Sequence, residues 1–480
     1  MLLSRANYYI SYNLLIVFLS SLVFKAFPLH GDERPNFVVI LCDDLGYGDI
    51  SCYGNKIIKT PNIDRLASQG IRFTDYYSPS PVCSPSRVGL LTGRTPNRAG
   101  IYDWIPSGTQ FHLEEKEFTI PKMLKRVGYA TCMSGKWHCN GKFNKKSQPQ
   151  PGDFGFDYWF ATQNNAAPSH RNPKNFVRNG EGVGELEGFS CRIVAEEANR
   201  WIENHVIENP DQPFFTFIAF HEPHEPISSP KSMISNYPNA QKKGEALYYA
   251  NVENMDFAVG MIMDCLNRNK VAENTLVIFT SDNGPETLNR YGGAWRSHGS
   301  PGFLKGMKLH THEAGIRVPG VMRWPLQIKA GQVSDEPVNS LDLMPTFANL
   351  AAGEIPIDIQ LDGTDIVNAF GKDEVIRKRP MFWCYYSALN KSKVALRDGK
   401  WKLLASLKSK NDKYLKIKSL NKSNYDLVKT ARLVDFELYN ISNDNDESLN
   451  LVDKNHDEFK RLSEAMRMMF DEVLKDSKIW

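Results

Sequence analysis

The chain has 480 residues, and its 58 Lys or Arg against 55 Asp or Glu give a formal net charge of only +3 at pH 7. This length allows two or three domains with a large core. Because the charge is nearly balanced, the chain lacks the strongly basic character of nucleic-acid-binding proteins, and we expect no nucleic-acid partner.

Residues 1–27 have the pattern of a signal peptide. Arg5 precedes an apolar run from Leu14 to Phe24, and Lys25 follows this run. The run is shorter than the roughly 20 apolar residues that a membrane-spanning helix needs, so we expect no stable membrane span. We therefore expect export by the signal peptide, with the mature protein either periplasmic or secreted.

Between residues 36 and 350, short apolar runs alternate with amphipathic stretches. The runs predict strands buried on both faces, and they comprise Asn36–Leu41, Tyr129–Met133, Pro213–Phe220 and Thr275–Thr280. The amphipathic stretches predict helices, among them Thr119–Val127, Glu187–His205, Tyr248–Arg268 and Asn339–Ala351. This alternation indicates an α/β fold with a parallel sheet covered by helices on both faces. Residues 140–185, rich in Asn, Lys, Pro and Gly, predict long irregular loops.

The sequence pattern changes after about residue 372. The predicted elements beyond it are antiparallel strands at Met381–Ser387 and Val394–Leu404, a short strand at Glu437–Asn440 and a helix at His456–Lys475. We therefore predict a large α/β domain at residues 32–372 and a smaller α+β domain with an antiparallel sheet at residues 373–480.

Acidic side chains follow two of the predicted buried strands. Asp43 and Asp44 follow the first strand, and Asp282 and Asn283 follow the strand at 275–280. Ligands of open α/β sheets bind outside the carboxyl ends of the strands, where these side chains are expected to meet. Adjacent carboxylates at a buried position are costly without a cation, and oxygen ligands favour calcium over zinc. Taken alone, each pair is also compatible with a solvated turn.

Basic side chains follow the other predicted strands. Lys136 and His138 are two residues apart and share a face if the chain is extended there. His224 lies between Pro223 and Pro226, which restrict the backbone and thereby orient the imidazole ring.

Cys83 precedes an apolar helical run and stands four residues before Arg87. The free N–H groups and the dipole of a helix N-terminus attract an anion, and Arg87 is expected one turn later on the same face. An isolated Cys is more often a buried structural thiol. A thiolate phosphatase loop is another alternative, but it needs an Arg at the position of Gly89.

The stretch from Cys83 to Arg87, followed by Leu-Thr-Gly-Arg at 91–94, resembles the signature of the type I, formylglycine-dependent sulfatases, which include arylsulfatases and N-acetylgalactosamine-6-sulfatases. The other matching elements are Asp43-Asp44, Gly135-Lys136-Trp137-His138, Pro223-His224-Glu225-Pro226, Asp282-Asn283, Lys305-Gly306-Met307-Lys308 with Glu313 and Gly315, and Glu437-Leu438-Tyr439. The resemblance covers nearly the whole mature chain and implies an alkaline phosphatase-like fold, with a large, mixed, mostly parallel sheet between helices. The departures from the pattern are Cys139, Ala314, His310 and His312.

The resemblance implies that a separate maturation enzyme oxidises Cys83 to formylglycine (3-oxoalanine), whose hydrate is the nucleophile. One hydroxyl of the hydrate displaces the sugar oxygen from sulfur, and the other loses its proton as sulfate leaves. The implied ligands of one calcium ion are Asp43, Asp44, Cys83, Asp282 and Asn283. The implied catalytic side chains are Arg87, Lys136, His224 and Lys308 as charge-stabilising groups and His138 as the acid–base group. Both His224 and Lys308 are candidates to protonate the leaving oxygen.

We expect the substrate to be a sulfated carbohydrate, from an acidic polysaccharide, attacked at a chain end. The loops of residues 140–185 and the C-terminal domain are expected to wall a pocket that suits chain ends. Candidate sugar contacts are His170, Arg171, His298, His310 and His312, for each of which ordinary loop polarity is the competing explanation. The alternative functions are a phosphonate or phosphodiester hydrolase of the same fold and an inactive glycan-binding homologue.

Overall fold

The computed structural model describes residues 34–371 and 373–480. The predicted signal peptide lies outside these residues, and the division into domains at residue 372 stays a prediction. Residues 34–480 form one unit by their contacts. Among the described residues, no helix is both long enough and apolar enough to cross a membrane.

A mixed sheet of ten strands occupies the centre of the described molecule. Its strands, in spatial order, are β11 (Gln332–Ser334), β2 (Ile71–Phe73), β10 (Gly320–Arg323), β9 (Thr275–Ser281), β1 (Asn36–Asp43), β8 (Phe214–Pro223), β4 (Ala130–Lys136), β5 (Tyr158–Thr162), β6 (Val177–Arg178) and β7 (Glu181–Gly182). The pairs of β1 with β8 and β9, and of β4 with β5 and β8, are parallel, whereas β10 is antiparallel to both of its neighbours. This arrangement confirms the predicted mixed, mostly parallel sheet.

Helices cover both faces of this sheet, as the sequence predicts. Phe37 and Val39 of β1 belong to the core on one face, whereas Val38 and Ile40 belong to the core on the other. The first core includes residues of α2 (Cys83–Thr92), α3 (Ile120–Arg126) and α8 (Leu343–Ala351), and the second includes residues of α1 (Pro61–Ser68), α4 (Ser190–Glu208) and α6 (Lys243–Arg268). Because both faces are covered, β1 is apolar at consecutive positions rather than at alternate ones.

A separate antiparallel sheet follows in the C-terminal part of the chain, as predicted. Its strands are β13 (Met381–Cys384), β14 (Val394–Asp398), β15 (Trp401–Lys408) and β16 (Arg432–Asn440). The C-terminal helix α10 (His456–Asp476) packs on this sheet through Leu462, Met466 and Phe470. Other short strands and α-helices are β3 (Tyr76–Tyr77), β12 (Val338–Asn339), α5 (Lys231–Ile234), α7 (Glu313–Ile316) and α9 (Tyr425–Lys429).

The prediction of irregular structure throughout residues 140–185 is wrong, because β5, β6 and β7 lie there. Strand β5 pairs in parallel with β4, and this tertiary pairing outweighs the loop-like composition around it. Strand β4 also extends to Lys136, three residues beyond the predicted end at Met133. This extension passes through Gly135, whose φ is +113° and where a Cβ atom would lie 1.9 Å from the Ala219 carbonyl oxygen.

Candidate active site

The carboxyl ends of β1, β9 and β4 and the N-terminus of α2 converge on one buried cluster of charged side chains. Asp43 and Asp44 lie at the end of β1, and Asp282 and Asn283 follow β9 directly. Lys136 ends β4, and the α2 N-terminus brings Cys83 and Arg87 to the same place. The parallel strand order therefore brings together the side chains that the sequence predicts as metal ligands and catalytic groups.

Three side chains of this cluster lie close enough to share one cation. One ligand atom each of Asp43, Cys83 and Asp282 lies within 4.8 Å of the other two. The Asn283 amide donates to Asp44 Oδ1 at 2.7 Å, and the Asp44 backbone N–H donates to Asp282 Oδ1 at 3.2 Å. Asp43 Oδ1 and Asn283 Oδ1 are buried without a hydrogen-bond partner. Because such atoms are costly to leave unpaired, the donor set fits a hard cation.

Burial and neighbouring charges separate the pKa values of the three carboxyl groups. Burial raises the pKa of Asp44 to about 6, although Lys308 opposes the shift. Burial and the charge of Asp43 raise the pKa of Asp282 to about 7. Burial also opposes ionisation of Asp43, but the charges of Lys136 and its neighbours hold its pKa well below the usual range. Asp43 is therefore the carboxylate that keeps its charge most firmly.

Three cationic side chains are paired directly with these three carboxylates. Arg87 donates to Asp282 Oδ2 through Nε at 2.9 Å and through a terminal nitrogen at 2.7 Å. Lys136 Nζ lies 2.5 Å from Asp43 Oδ2, and Lys308 Nζ lies 2.6 Å from Asp44 Oδ1. The three charges of each sign balance, so the cluster of side chains is neutral as a whole when all six groups are ionised.

Cys83 is the first residue of α2, and only 3% of it is exposed. The preceding residue, Val82, is extended and makes no side-chain cap, so it does not satisfy the N–H groups of the first turn. Burial raises the pKa of the Cys83 thiol to about 12, although Lys136 and Lys308 oppose the shift. The unmodified side chain is therefore a protonated thiol at neutral pH rather than a nucleophilic thiolate.

The two predicted catalytic histidines differ in hydrogen bonding. His138, with a φ of +54°, has Nε2 3.1 Å from the Ile105 carbonyl oxygen, and its Nδ1 is buried without a partner. His224 has Nδ1 2.6 Å from the Glu225 carbonyl oxygen and Nε2 3.6 Å from Asp44 Oδ2. Burial lowers the pKa of His138 well below the usual value, and burial with the charge of Lys308 lowers that of His224 to about 3.

The segment that carries Lys308 is fixed against the end of β9. The Lys308 backbone N–H donates to the Pro285 carbonyl oxygen at 2.9 Å. A Cβ atom at Gly284 would lie 1.7 Å from the Ala314 carbonyl oxygen, so this approach requires glycine. Glu286, which sequence reasoning missed, is buried with Oε2 3.8 Å from Lys308 Nζ and is paired with Arg290. Its position four residues after Asp282 was the available signal.

The five candidate sugar contacts occupy different environments. His170 has no exposed surface, and its Nδ1 lies 3.5 Å from Glu222 Oε1. His298 is nearly buried with Nδ1 3.9 Å from Glu245 Oε1, whereas Arg171 is exposed. His310 and His312 are partly buried on the segment after Lys308, with ring centroids 6.0 Å apart. The sugar-binding roles of all five residues stay predictions.

Comparison with known proteins gives consistent matches along the chain. Residues 35–354 match the family described as Sulfatase, and residues 307–416 match that described as N-sulphoglucosamine sulphohydrolase, C-terminal. Arylsulfatase A of Homo sapiens is 35% identical over 392 residues, which cover 77% of this chain and 74% of that protein. N-acetylgalactosamine-6-sulfatase of Sus scrofa is 34% identical over 375 residues, which cover 73% of this chain and 68% of that protein.

Solved structures agree with these matches. Ps i-CgsB in complex with k-i-k-neocarrahexaose is similar with a TM-score of 0.76 and 29% identity, over 93% of this chain and 94% of that chain. The PsFucS1 sulfatase from Pseudoalteromonas sp. shares the fold with a TM-score of 0.75 and 24% identity, over 93% of this chain and 92% of that chain. The expected alkaline phosphatase-like fold is thereby confirmed. The chain belongs to the sulfatase family and is a sulfuric ester hydrolase.

Proposed function

We propose that this protein removes sulfate from a sulfated carbohydrate by means of a formylglycine made from Cys83 and one calcium ion. The substrate is an oligosaccharide from an acidic sulfated polysaccharide, and it is attacked at a chain end. The proposal includes export by residues 1–27, periplasmic or secreted location, and a maturation enzyme that oxidises Cys83.

The observation that carries the proposal is the pair of unpartnered buried oxygens, Asp43 Oδ1 and Asn283 Oδ1, in the cluster that also contains Cys83. Asp43, Asp44, Asp282, Asn283 and the oxidised side chain of Cys83 would hold the calcium ion. When bound, calcium polarises a sulfate oxygen and lowers the pKa of the nucleophilic hydroxyl. Since the paired side chains alone are neutral, a divalent cation gives the cluster a net charge of about +2, which suits an anionic sulfate ester.

The state of Cys83 supports oxidation before catalysis. A buried thiol whose pKa is about 12 carries almost no thiolate at neutral pH, so the unmodified residue is a poor nucleophile. Hydrated formylglycine supplies an oxygen nucleophile at the same position. A second hydroxyl on the same carbon allows release of sulfate, which a single serine-like hydroxyl does not.

The surrounding side chains have separate tasks in the proposed reaction. Arg87 and Lys136 are fully buried and fixed by carboxylates, so they provide oriented positive charge without reorganisation. His138 donates through Nε2 to Ile105, which leaves Nδ1 as the atom able to accept a proton. His224 and Lys308 both lie beside Asp44 and remain the two candidates to protonate the leaving oxygen.

A sulfated glycan is supported by the relatives and by the shape of the site. Ps i-CgsB, a relative at 29% identity, was solved with an oligosaccharide, k-i-k-neocarrahexaose. In this chain the catalytic side chains are almost entirely buried, and His224 with 13% exposure is the most accessible of them. A site of this depth admits a terminal sugar more readily than the middle of a polymer.

Three measurements on the exported protein test the proposal. Peptide mass spectrometry should find formylglycine at position 83, and fully active enzyme with only unmodified Cys83 would contradict it. A panel of defined sulfated oligosaccharides should lose sulfate from chain ends first, as followed by product chromatography. Exhaustive chelation should abolish turnover, and calcium should restore it.

The competing function, a phosphonate or phosphodiester hydrolase, is tested with phosphorus analogues of the same substrates. Phosphonate and phosphodiester analogues of the best sulfate ester should be hydrolysed more slowly than the sulfate ester itself. Faster turnover of the phosphorus esters would replace the proposed function by that alternative.

A further inference from the structure

The loop after α2 carries two side chains, Asp103 and Trp104, that the proposed reaction does not use. Asp103 is partly buried, and the side chain of its neighbour Trp104 is strongly exposed, with 48% of the residue accessible. Asp103 Oδ1 accepts hydrogen bonds from the Trp104 backbone N–H at 2.8 Å and from the Tyr385 hydroxyl at 3.0 Å. The carboxylate is thus oriented by the C-terminal part of the chain.

Hydrogen bonds and packing fix this loop to the catalytic groups. The Ile105 backbone N–H donates to Ser84 Oγ at 3.0 Å, and the Ile105 carbonyl oxygen lies 3.1 Å from His138 Nε2. Tyr385 is buried in one apolar cluster with Cys83. Asp103 and Trp104 therefore directly precede a residue that is hydrogen-bonded to α2 and lies beside His138, and Asp103 also contacts Tyr385, which packs with Cys83.

We propose that Asp103 and Trp104 are specificity-determining residues that bind the sugar unit carrying the sulfate, an inference that rests on the proposed function. The exposed Trp104 indole provides a flat apolar surface for the C–H face of a pyranose ring. The Asp103 carboxylate accepts a hydrogen bond from a free hydroxyl on the carbon next to the sulfated one.

The charge of Asp103 gives the site a preference between substrates. A second sulfate in place of the neighbouring hydroxyl would meet the carboxylate with like charge and would offer it no proton. Lys418 is a cation that acts on Asp103, but it is exposed to solvent, so its compensation is screened. The site therefore selects a pyranose with a free hydroxyl beside the sulfate ester.

The test compares two forms of a pyranoside sulfate, with the neighbouring hydroxyl free or also sulfated. The wild-type enzyme should have a kcat/KM at least about tenfold higher for the form with the free hydroxyl. Asp103→Asn, which keeps the shape but loses the charge, should reduce this preference by about tenfold, chiefly through faster turnover of the disulfated form. Trp104→Ala should raise KM for both forms by about tenfold and leave the preference unchanged.

Two further variants make the outcome specific. Tyr385→Phe removes only the hydroxyl that orients Asp103 and should reduce the preference by less than Asp103→Asn does. Phe257→Ala removes an exposed aromatic side chain of α6 and should change neither parameter. An unchanged preference in Asp103→Asn, with sulfate still released, overturns this inference but not the proposed function. A wild-type enzyme that releases no sulfate from any sugar overturns both.

Discussion

The segment 305–317 contributes side chains to two buried ionic clusters, which differ in how closely their carboxylate oxygens are paired with cations. The catalytic cluster contains Asp43 Oδ1 and Asn283 Oδ1, which are buried with no hydrogen-bond partner. The second cluster joins the catalytic part of the chain to the C-terminal sheet, and each of its charged groups is paired with an opposite charge. Its members are Asp75, Glu313, Arg317, Arg397, Lys402 and Glu447.

Lys402 of β15 is the centre of the second cluster. Its Nζ lies 2.8 Å from Glu313 Oε1 and 2.8 Å from Glu447 Oε1, and all three side chains have no exposed surface. Arg317 pairs with Glu313 at 3.2 Å and also with Asp75. This cluster fixes α7, which follows Lys308, to the antiparallel sheet.

We infer that the second cluster stabilises the fold, whereas the catalytic cluster binds a ligand. A buried charge that loses its partner is strongly destabilising, so the second cluster is expected to govern stability. The catalytic cluster is expected to govern binding and turnover instead. Both clusters are neutral from their side chains alone, so net charge does not distinguish them. Glu447 Oε1 of the second cluster also lacks a hydrogen bond, but it lies 2.8 Å from Lys402 Nζ, whereas Asp43 Oδ1 of the catalytic cluster lies 3.9 Å from Arg87.

The largest expected effect is a loss of turnover without a loss of fold. Cys83→Ala removes the site of the proposed nucleophile and should lower kcat by at least about 10⁴-fold. Its melting temperature should stay near that of the wild type, because no charge is left unpaired. Cys384→Ala, a buried Cys of β13, is the matched control and should keep full activity. Substantial turnover by Cys83→Ala would remove the catalytic role of that residue.

The second effect is the reverse, a loss of stability in the second cluster. Lys402→Met keeps the length of the side chain but leaves Glu313 and Glu447 without their shared cation. The free energy of unfolding should fall by about 3–5 kcal/mol, measured by chemical denaturation. At temperatures where the variant is folded, kcat should change by less than about tenfold. A variant as stable as the wild type would show that this cluster does not hold the two parts together.

Much of the site was predictable because its residues follow local motifs. Asp43, Asp282, Lys136 and Cys83 each stand at the end of an apolar run or at a helix start, and strand order alone brings such ends together. The partners of Glu313 were not predictable, since Lys402 is 89 residues away and lies in an ordinary strand pattern.

Burial was the other property that the sequence did not reveal. His170 stands in a polar loop, yet it has no exposed surface because Asn251 and Glu222 approach it from other elements. Strand β5 was likewise hidden, since its pairing with β4 depends on contacts across the sheet. Tertiary contacts of this kind override local composition.

Calcium should stabilise the folded protein, because the catalytic cluster that is proposed to bind it exists only in the folded state. At a calcium concentration 100 times the dissociation constant, the gain in free energy of unfolding is about 2.7 kcal/mol. The melting temperature of wild-type and Lys402→Met proteins should therefore rise with calcium, whereas that of Asp282→Ala should not. An equal rise in Asp282→Ala would place the ion elsewhere, and no rise in the wild type would rule out the proposed site.

The last expected effect, similar in size to that of calcium, is a pH dependence that belongs to the second cluster. Burial, only partly opposed by Lys402, raises the pKa of Glu447 from 4.5 to about 7. The folded state therefore keeps a proton that the unfolded state has lost, and the stability contributed by this proton is full below pH ~4.5 and disappears as pH rises through ~7. Since one pKa unit corresponds to about 1.4 kcal/mol, the free energy of unfolding of Glu447→Gln should rise by up to about 3 kcal/mol relative to that of the wild type between pH 4.5 and 8.

Denaturation at several pH values measures this difference, and Glu464→Gln on the exposed face of α10 is the control. A stability difference that does not change with pH would show that Glu447 is already ionised at pH 4.5, with Lys402 fully compensating its burial.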